Sequence, residues 1–323
     1  KIADLFLRQT WVWNPLASTF KIDDPKLARK WCDIPILNPI GLAAGMDKDC
    51  RMLPSLANLG FGYMVAGTIT VRPNVGNRKP RMFRDIGKEC LVNALGFPGK
   101  GLEQATYNLD KARSKLGETA IAASISGTTH DDILTCHQQL EPLVEAIEVN
   151  ISSPNTEGLK VFHNPNSLGN LLDRINDCRT KPLIVKIPPY PTSPTEDDDL
   201  THQILSLVKV CVDKGVESLT VANSRPIKDT RLSVGSGGLS GRILFQDTLK
   251  IVAEVRKEAG SKLVINACGG IFSGEDAWLA LKAGATTLQI YTALVYRGPS
   301  VVKNICHELQ DIMAIEALKT VRS

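Results

Sequence analysis

Eight short runs of β-branched and other apolar residues recur along the 323-residue chain, separated by stretches with helical periodicity. The runs are Pro39–Ala44, Tyr63–Gly67, Ala120–Ser124, Ile147–Ile151, Leu183–Ile187, Ser218–Ala222, Leu263–Ala267 and Thr287–Tyr291. The helix-like segments include Arg51–Leu59, Gly101–Leu116, Asp131–Leu143, Leu200–Lys214, Phe245–Glu258, Gly274–Ala283 and Val301–Ala314. Strands that are hydrophobic nearly throughout and alternate with helices belong to a parallel sheet covered on its outer face. Eight such units predict an α/β chain closed into a (β/α)8 TIM barrel. A doubly wound open sheet would want G-x-G-x-x-G after the first strand, and Gly41-Leu42-Ala43-Ala44-Gly45 does not supply it.

The expected division is a short apolar N-terminal extension, residues 1–34, followed by the barrel, residues 35–323. The extension carries Leu5, Phe6, Leu7, Trp11, Val12, Trp13 and Trp31. It reads equally as a helix capping the barrel's base or as an amphipathic patch that touches lipid or admits an apolar ligand. Because the chain opens on Lys1, any native targeting or anchoring segment ahead of it would lie outside the sequence.

Composition excludes several classes. With 43% hydrophobic and 22% charged residues this is globular protein, and a net charge of +4 without a Lys/Arg cluster gives no nucleic-acid footprint. Cys32, Cys50, Cys90, Cys136, Cys178, Cys211, Cys268 and Cys306 show no C-x-x-C spacing. That argues against zinc, iron–sulfur clusters and a disulfide framework, and for a reducing compartment. No apolar run is long enough to span a bilayer.

A barrel brings its strand ends together at the C-terminal face. There the sequence supplies Lys48, Thr68, Ser124, the segment from Asn150 to Thr156, Lys186, Asn223-Ser224, Gly269-Gly270 and Tyr291-Thr292. The segment Val149–Leu159 holds two asparagines, two serines and a threonine. Such a segment can grip a planar polar substrate and keep one oxygen to take a proton; its alternative reading is a Ser/Pro/Asn turn. Gly269-Gly270 and Thr292 match the phosphate cradle that barrels build after their last two strands, and a second glycine-rich loop, Gly237–Gly241, can join it. Lys186 can face an electron-rich cofactor ring; Lys48 can pair with a substrate carboxylate or with Asp47 or Asp49. No histidine stands at a strand end, so metal coordination and Ser-His-Asp hydrolysis lack support. A serine base would then need a relay, Thr156 and a water, to pass its proton on.

Together these residues resemble the dihydroorotate dehydrogenases, specifically their serine-base, quinone-using class 2. The resemblance runs from Leu37 onward through Asn38–Lys48, Arg81-Met82-Phe83-Arg84, Val92–Phe97, Asn150–Thr156, Val185-Lys186-Ile187, Asn223–Pro226, Gly237–Gly241 and Ile290–Leu294. It implies oxidation of dihydroorotate to orotate in pyrimidine biosynthesis on non-covalently bound FMN, with C6 giving hydride to the flavin. By this resemblance Ser153 is the base that takes the C5 proton, with Thr156 and Phe97 beside it. Substrate would be held by Lys48, Asn93, Gly96, Phe97, Asn150, Asn155, Asn223 and Ser224. FMN would be held by Ala43, Ala44, Gly45, Lys48, Gly67, Thr68, Asn93, Ser124, Asn150, Lys186, Ala222, Ser240, Gly241, Cys268, Gly269, Gly270, Tyr291 and Thr292. Arg84 and Tyr291 are candidates for the quinone site. The class implies peripheral contact with a mitochondrial or bacterial inner membrane.

Pro98 and Ser124-Ile125-Ser126-Gly127 depart from the quinone-class pattern. They keep open a soluble, cytoplasmic serine-type enzyme using fumarate, NAD or another acceptor. Two readings come from other classes. A tRNA-reducing dihydrouridine synthase would want a catalytic cysteine and a basic extension, and the sequence offers neither. A flavin-free phosphate-binding lyase or isomerase could use Lys186 as a Schiff base.

Overall fold

A computed structural model of the chain describes residues 7–153, 157–192, 198–261 and 263–322. In chain order its strands are β1 (Arg29–Trp31), β2 (Ile34–Ile36), β3 (Ile40–Leu42), β4 (Tyr63–Ile69), β5 (Met82–Asp85), β6 (Cys90–Asn93) and β7 (Ala120–Ile125). There follow β8 (Ala146–Asn150), β9 (Leu183–Lys186), β10 (Ser218–Val221), β11 (Arg225–Lys228), β12 (Ser236–Gly241), β13 (Val264–Cys268) and β14 (Thr287–Ile290). Eight of them, β3-β4-β7-β8-β9-β10-β13-β14, close into a parallel barrel. The last strand pairs with the first through Leu288 opposite Ile40 and Ile290 opposite Leu42. The expected (β/α)8 barrel is therefore the observed fold, with each predicted strand matched within a residue or two.

Strand periodicity sorts the side chains. On β7, Ile121 and Ala123 face outward into the main core, packed under the helices, while Ala120 and Ala122 belong to a second cluster inside the barrel. Helices Leu102–Arg113, His130–Leu140, Asp198–Asp213, Phe245–Ala259 and Gly274–Lys282 cover the outer face near where helical periodicity predicts them. One more, Pro165–Asn176, was not singled out in the sequence. Its Asn164 side chain accepts from the backbone N–H groups of Asn166 and Ser167, Pro165 starts the first turn, and Leu168, Leu171, Leu172 and Ile175 form its buried face.

The barrel's base is plugged from below. The β1–β2 hairpin turns at Cys32-Asp33, both with positive φ (49° and 64°), the left-handed pair that a two-residue hairpin requires. The turn presents Trp31 to the interior, where it stacks on Tyr63 with ring centroids 4.1 Å apart. Alanines at 120, 122 and 146 leave room for the two rings. Gly41 is required for the same reason, since a Cβ there would lie 2.3 Å from the Tyr63 ring. This hairpin runs across the division expected at residue 34.

Above the rings the interior turns polar. The Trp31 indole N–H donates to Asn266 Oδ1 (3.1 Å), which also accepts from Thr287 Oγ1 (2.6 Å). With its one proton so used, Thr287 accepts from Tyr63 OH (2.8 Å). The Asn266 amide nitrogen donates to Ser218 Oγ (2.9 Å) and Thr220 Oγ1 (3.3 Å), and Thr220 donates to Glu148 Oε2 (2.8 Å).

At the opposite end an antiparallel sheet, β11-β12-β6-β5, overhangs the barrel mouth. The segment Gly237–Gly241, expected as a loop, is most of β12 and pairs with both β11 and β6. Its glycines serve close approach: a Cβ on Gly237 would meet the Asn93 carbonyl oxygen at 2.5 Å.

Candidate active site

The strand ends and the overhanging sheet enclose a cleft with about 1080 Å³ of empty space, its open mouth included. Its lining gathers most of the residues expected there: Ala43, Ala44, Gly45, Lys48, Thr68, Asn93, Gly96, Phe97, Asn150, Ser153, Lys186, Ala222, Asn223, Ser224, Ser240, Gly241, Cys268, Gly269, Gly270, Tyr291 and Thr292. Asn155 and Thr156 lie outside the described residues. Gly67 and Ser124 stand behind the lining. Gly67 bonds through its N–H to Asp47 O and through its carbonyl to Gly45 N, while the buried Ser124 hydroxyl bonds Thr68 at 3.0 Å.

One hydrogen-bonded chain crosses the barrel mouth and sets what the cleft presents. Asn150 Nδ2 donates to Thr68 Oγ1 (3.0 Å), while its Oδ1 accepts from the Ser152 backbone N–H (3.1 Å) and from Ser152 Oγ (2.7 Å). Ser152 Oγ in turn accepts from Asn223 Nδ2 (2.8 Å), and Asn223 Oδ1 accepts from the Ser224 backbone N–H (2.7 Å). Backbone N–H groups can only donate, so each fixes which end of its asparagine amide is oxygen. Both oxygens are thereby committed inside the chain, and the remaining amide hydrogens are what a ligand can meet. A ring bearing carbonyl oxygens on its edge matches that pattern. Sequence reading placed Asn150, Asn223 and Ser224 but assigned no role to Ser152, the buried residue that joins them. It also missed His163, whose Nε2–H donates to the Ile151 carbonyl (2.8 Å) and anchors the strand exit from behind.

Lys48 lies in the turn after β3, and the ion pair with Asp47 or Asp49 does not form. Asp47 accepts instead from the backbone N–H groups of Arg51 (2.8 Å) and Met52 (2.6 Å), and Asp49 from that of Lys100 (2.7 Å). Among the described residues no carboxylate comes within 4.0 Å of the Lys48 ammonium. Burial lowers its pKa to about 8; Asp49 opposes the shift, and Lys186 and Arg81 add to it. Lys186, 4% exposed at the end of β9, has the Cys268 thiol 4.0 Å from its nitrogen. Burial raises the pKa of that thiol, so Cys268 is a packed neighbour rather than a thiolate.

Gly269 and Gly270 follow β13 with φ of 143° and 73°. A Cβ on either would strike the start of helix Phe245–Ala259, at Thr248 Oγ1 (2.6 Å) and Phe245 N (2.5 Å) respectively. The glycines are thus required by packing against that helix rather than to keep the cleft side open. Among the described residues their backbone N–H groups donate to no group of the chain. Beside them Thr292 Oγ1 donates to Ser240 Oγ at 3.0 Å. The Ser240 hydroxyl donates in turn to the Leu91 carbonyl (3.5 Å), so the unengaged amides and Lys186 are the donor set fitted to a phosphorylated cofactor.

The sequence did not single out the apolar walls Met82, Leu91, Leu95, Leu244, Ile271 and Phe272. Phe97 sits in the left-handed region (φ 49°), a costly conformation for a bulky residue that turns its loop back over the cleft. Arg84 is exposed on β5 and lies close enough to Tyr291 to offset part of the rise in phenol pKa that burial causes. Among the described residues no cluster could hold a metal ion, and no helix is long and apolar enough to cross a membrane.

Comparison with known proteins agrees with this geometry. The dihydroorotate dehydrogenase family profile matches residues 26–313. A dihydroorotate dehydrogenase (quinone) of Chloroflexus aurantiacus is 36% identical over 305 residues, 88% of this chain and 82% of the relative. One from Thermus thermophilus is 33% identical, covering 94% and 88%. The crystal structure of the Eimeria tenella enzyme in complex with ferulenol superposes with a TM-score of 0.83 at 27% identity, over 95% of this chain and 91% of that one.

Proposed function

The chain belongs to the dihydroorotate dehydrogenase family, and from that premise we propose that it oxidises dihydroorotate to orotate on non-covalently bound FMN, with a quinone as electron acceptor. The observation that carries this reading is Lys48: a half-buried ammonium with no carboxylate within 4.0 Å among the described residues, facing a cleft whose asparagines offer amide hydrogens. A ring that carries both a carboxylate and edge carbonyls satisfies all three at once. The relatives' printed names support the quinone over fumarate or NAD.

Bound FMN would supply the redox chemistry, as acceptor of the C6 hydride and donor of electrons to the quinone. The protein's part is positioning and proton handling. Lys48 holds the substrate carboxylate; Asn93, Asn150, Asn223 and Ser224 orient the ring; Ser153 takes the C5 proton. Asn155 completes the substrate's ring contacts and Thr156 the proton relay. Lys186 would lie towards the pyrimidine part of a bound flavin, and Ser240, Gly241, Gly269, Gly270 and Thr292 would hold its ribityl and phosphate groups. Arg84 and Tyr291 flank the quinone. The N-terminal helices carry Trp11, 73% exposed, and Leu16, which supports peripheral contact with a mitochondrial or bacterial inner membrane.

The test is anaerobic mixing of FMN-loaded protein with dihydroorotate while following flavin absorbance. Rapid bleaching that a quinone reverses is the expected result. Absence of bleaching in a flavin-loaded sample would overturn the substrate, and reversal by fumarate or NAD alone would overturn the acceptor.

A further inference from the structure

Only two charged residues occur in the eight barrel strands, Glu148 on β8 and Lys186 on β9, and both are buried. They stand on neighbouring strands, Glu148 in register with Ile184, two residues below Lys186. Asn150, two residues beyond Glu148, is in register with Lys186; Thr220, which donates to Glu148, is in register with Lys186 from the other side. The Cys268 thiol senses both, its deprotonation favoured by the Lys186 ammonium and opposed by Glu148. They are not a contact pair, since no ion pair within 4.0 Å joins them among the described residues.

The polar ladder below fixes how Glu148 is held. The Trp31 N–H can only donate, so Asn266 must turn its amide nitrogen toward Thr220, and the Thr220 proton is left for Glu148 Oε2. The chain of donors therefore ends on Glu148 as acceptor. Among the described residues Oε1 has no hydrogen-bond partner. A buried carboxylate with one such oxygen is costly unless a positive charge compensates it, and Lys186 is the one cation on the barrel strands.

We infer that Glu148 is the counter-charge of Lys186 and, through it, a positioning residue that limits how strongly the site favours the reduced, anionic cofactor. The inference rests on the FMN reading above. Lys186 alone would draw negative charge onto a bound flavin; Glu148 beneath it would weaken that pull.

The first measurement is the midpoint potential of bound FMN in the parent and in Glu148→Gln. The variant is isosteric and keeps an acceptor for Thr220. Its reduction equilibrium is expected to shift about tenfold toward the reduced form, about 30 mV more positive for a two-electron couple. An unchanged or more negative potential overturns the inference. The second compares urea unfolding of Lys186→Met with that of the double variant Lys186→Met/Glu148→Gln. The single variant strands the carboxylate, so the double is expected to be the more stable. Equal or lower stability of the double overturns the inference, even if Glu148→Gln alone folds poorly. Loss of dihydroorotate bleaching in the parent would instead sink the functional reading, so the two failures are distinct.

Discussion

Ser152 and Ser153 are neighbours with the same functional group, and their surroundings divide the work between them. The Ser152 hydroxyl gives its proton to Asn150 Oδ1 and accepts from Asn223, so it is committed to holding the two amides. Ser153 lines the cleft and carries the proposed base role. Ser153→Ala is expected to leave FMN and orotate bound and to slow flavin reduction by about 10²- to 10⁴-fold at neutral pH, as read by stopped-flow absorbance. Ser152→Ala should act the other way, weakening orotate binding about tenfold while the rate at saturation falls less. Lys48 gives the site a pH dependence of defined sign. With a pKa near 8 in the folded protein, its hold on a carboxylate is present below that pH and fades as pH rises through it, so the orotate dissociation constant should increase above pH 8. In the ligand-free protein Lys48 destabilises fully below about pH 8. Between 8 and its ordinary 10.5 the unfolded chain holds more protons, so stability from this group rises with pH. A flat orotate affinity from pH 7 to 9 would remove Lys48 from the carboxylate site.

At the scale of elements, the barrel strands were legible because burial on both faces writes a continuous apolar run, as in Ala120–Ile125. The overhanging sheet was not. β5 and β6 are only four residues each, and β12 reads Ser-Gly-Gly-Leu-Ser-Gly, a composition that avoids strands unless the backbone of a neighbour must come close. The site shows the same contrast. Lys48, Asn150 and Asn223 stand out because their chemistry is rare at strand ends, whereas Ser152 and Glu148 matter only through partners 72 or so residues away, which no local pattern records. The β1–β2 hairpin offers a test of how packing and hydrogen bonding share the base of the barrel. Trp31→Ala should cost about 4 kcal/mol in urea unfolding, a large-to-small change in a filled interior. Trp31→Phe keeps a ring over Tyr63 but leaves Asn266 Oδ1 without the indole donor, and should cost about 1–3 kcal/mol. Equal losses would mean that the ring packing adds nothing beyond the hydrogen bond.

At the scale of the molecule, the N-terminal helices hold to the body through Asn58, whose amide donates to Asn14 (2.9 Å), while Leu7, Trp13 and Phe20 pack inward and Trp11 faces out. The N-terminal rim thus presents the exposed apolar side chains of Trp11 and Leu16. Binding to anionic lipid vesicles, followed by co-sedimentation, is expected for the parent and should fall several-fold in Trp11→Ser/Leu16→Ser with dihydroorotate bleaching unchanged. Equal sedimentation of the two proteins would detach this rim from the membrane. The closed base carries a different consequence. With Trp31 and Tyr63 seated in it, the base of the barrel is filled. A proton taken from the substrate therefore leaves on the strand-end side of the barrel, the side from which substrate enters and product departs, and not through the base.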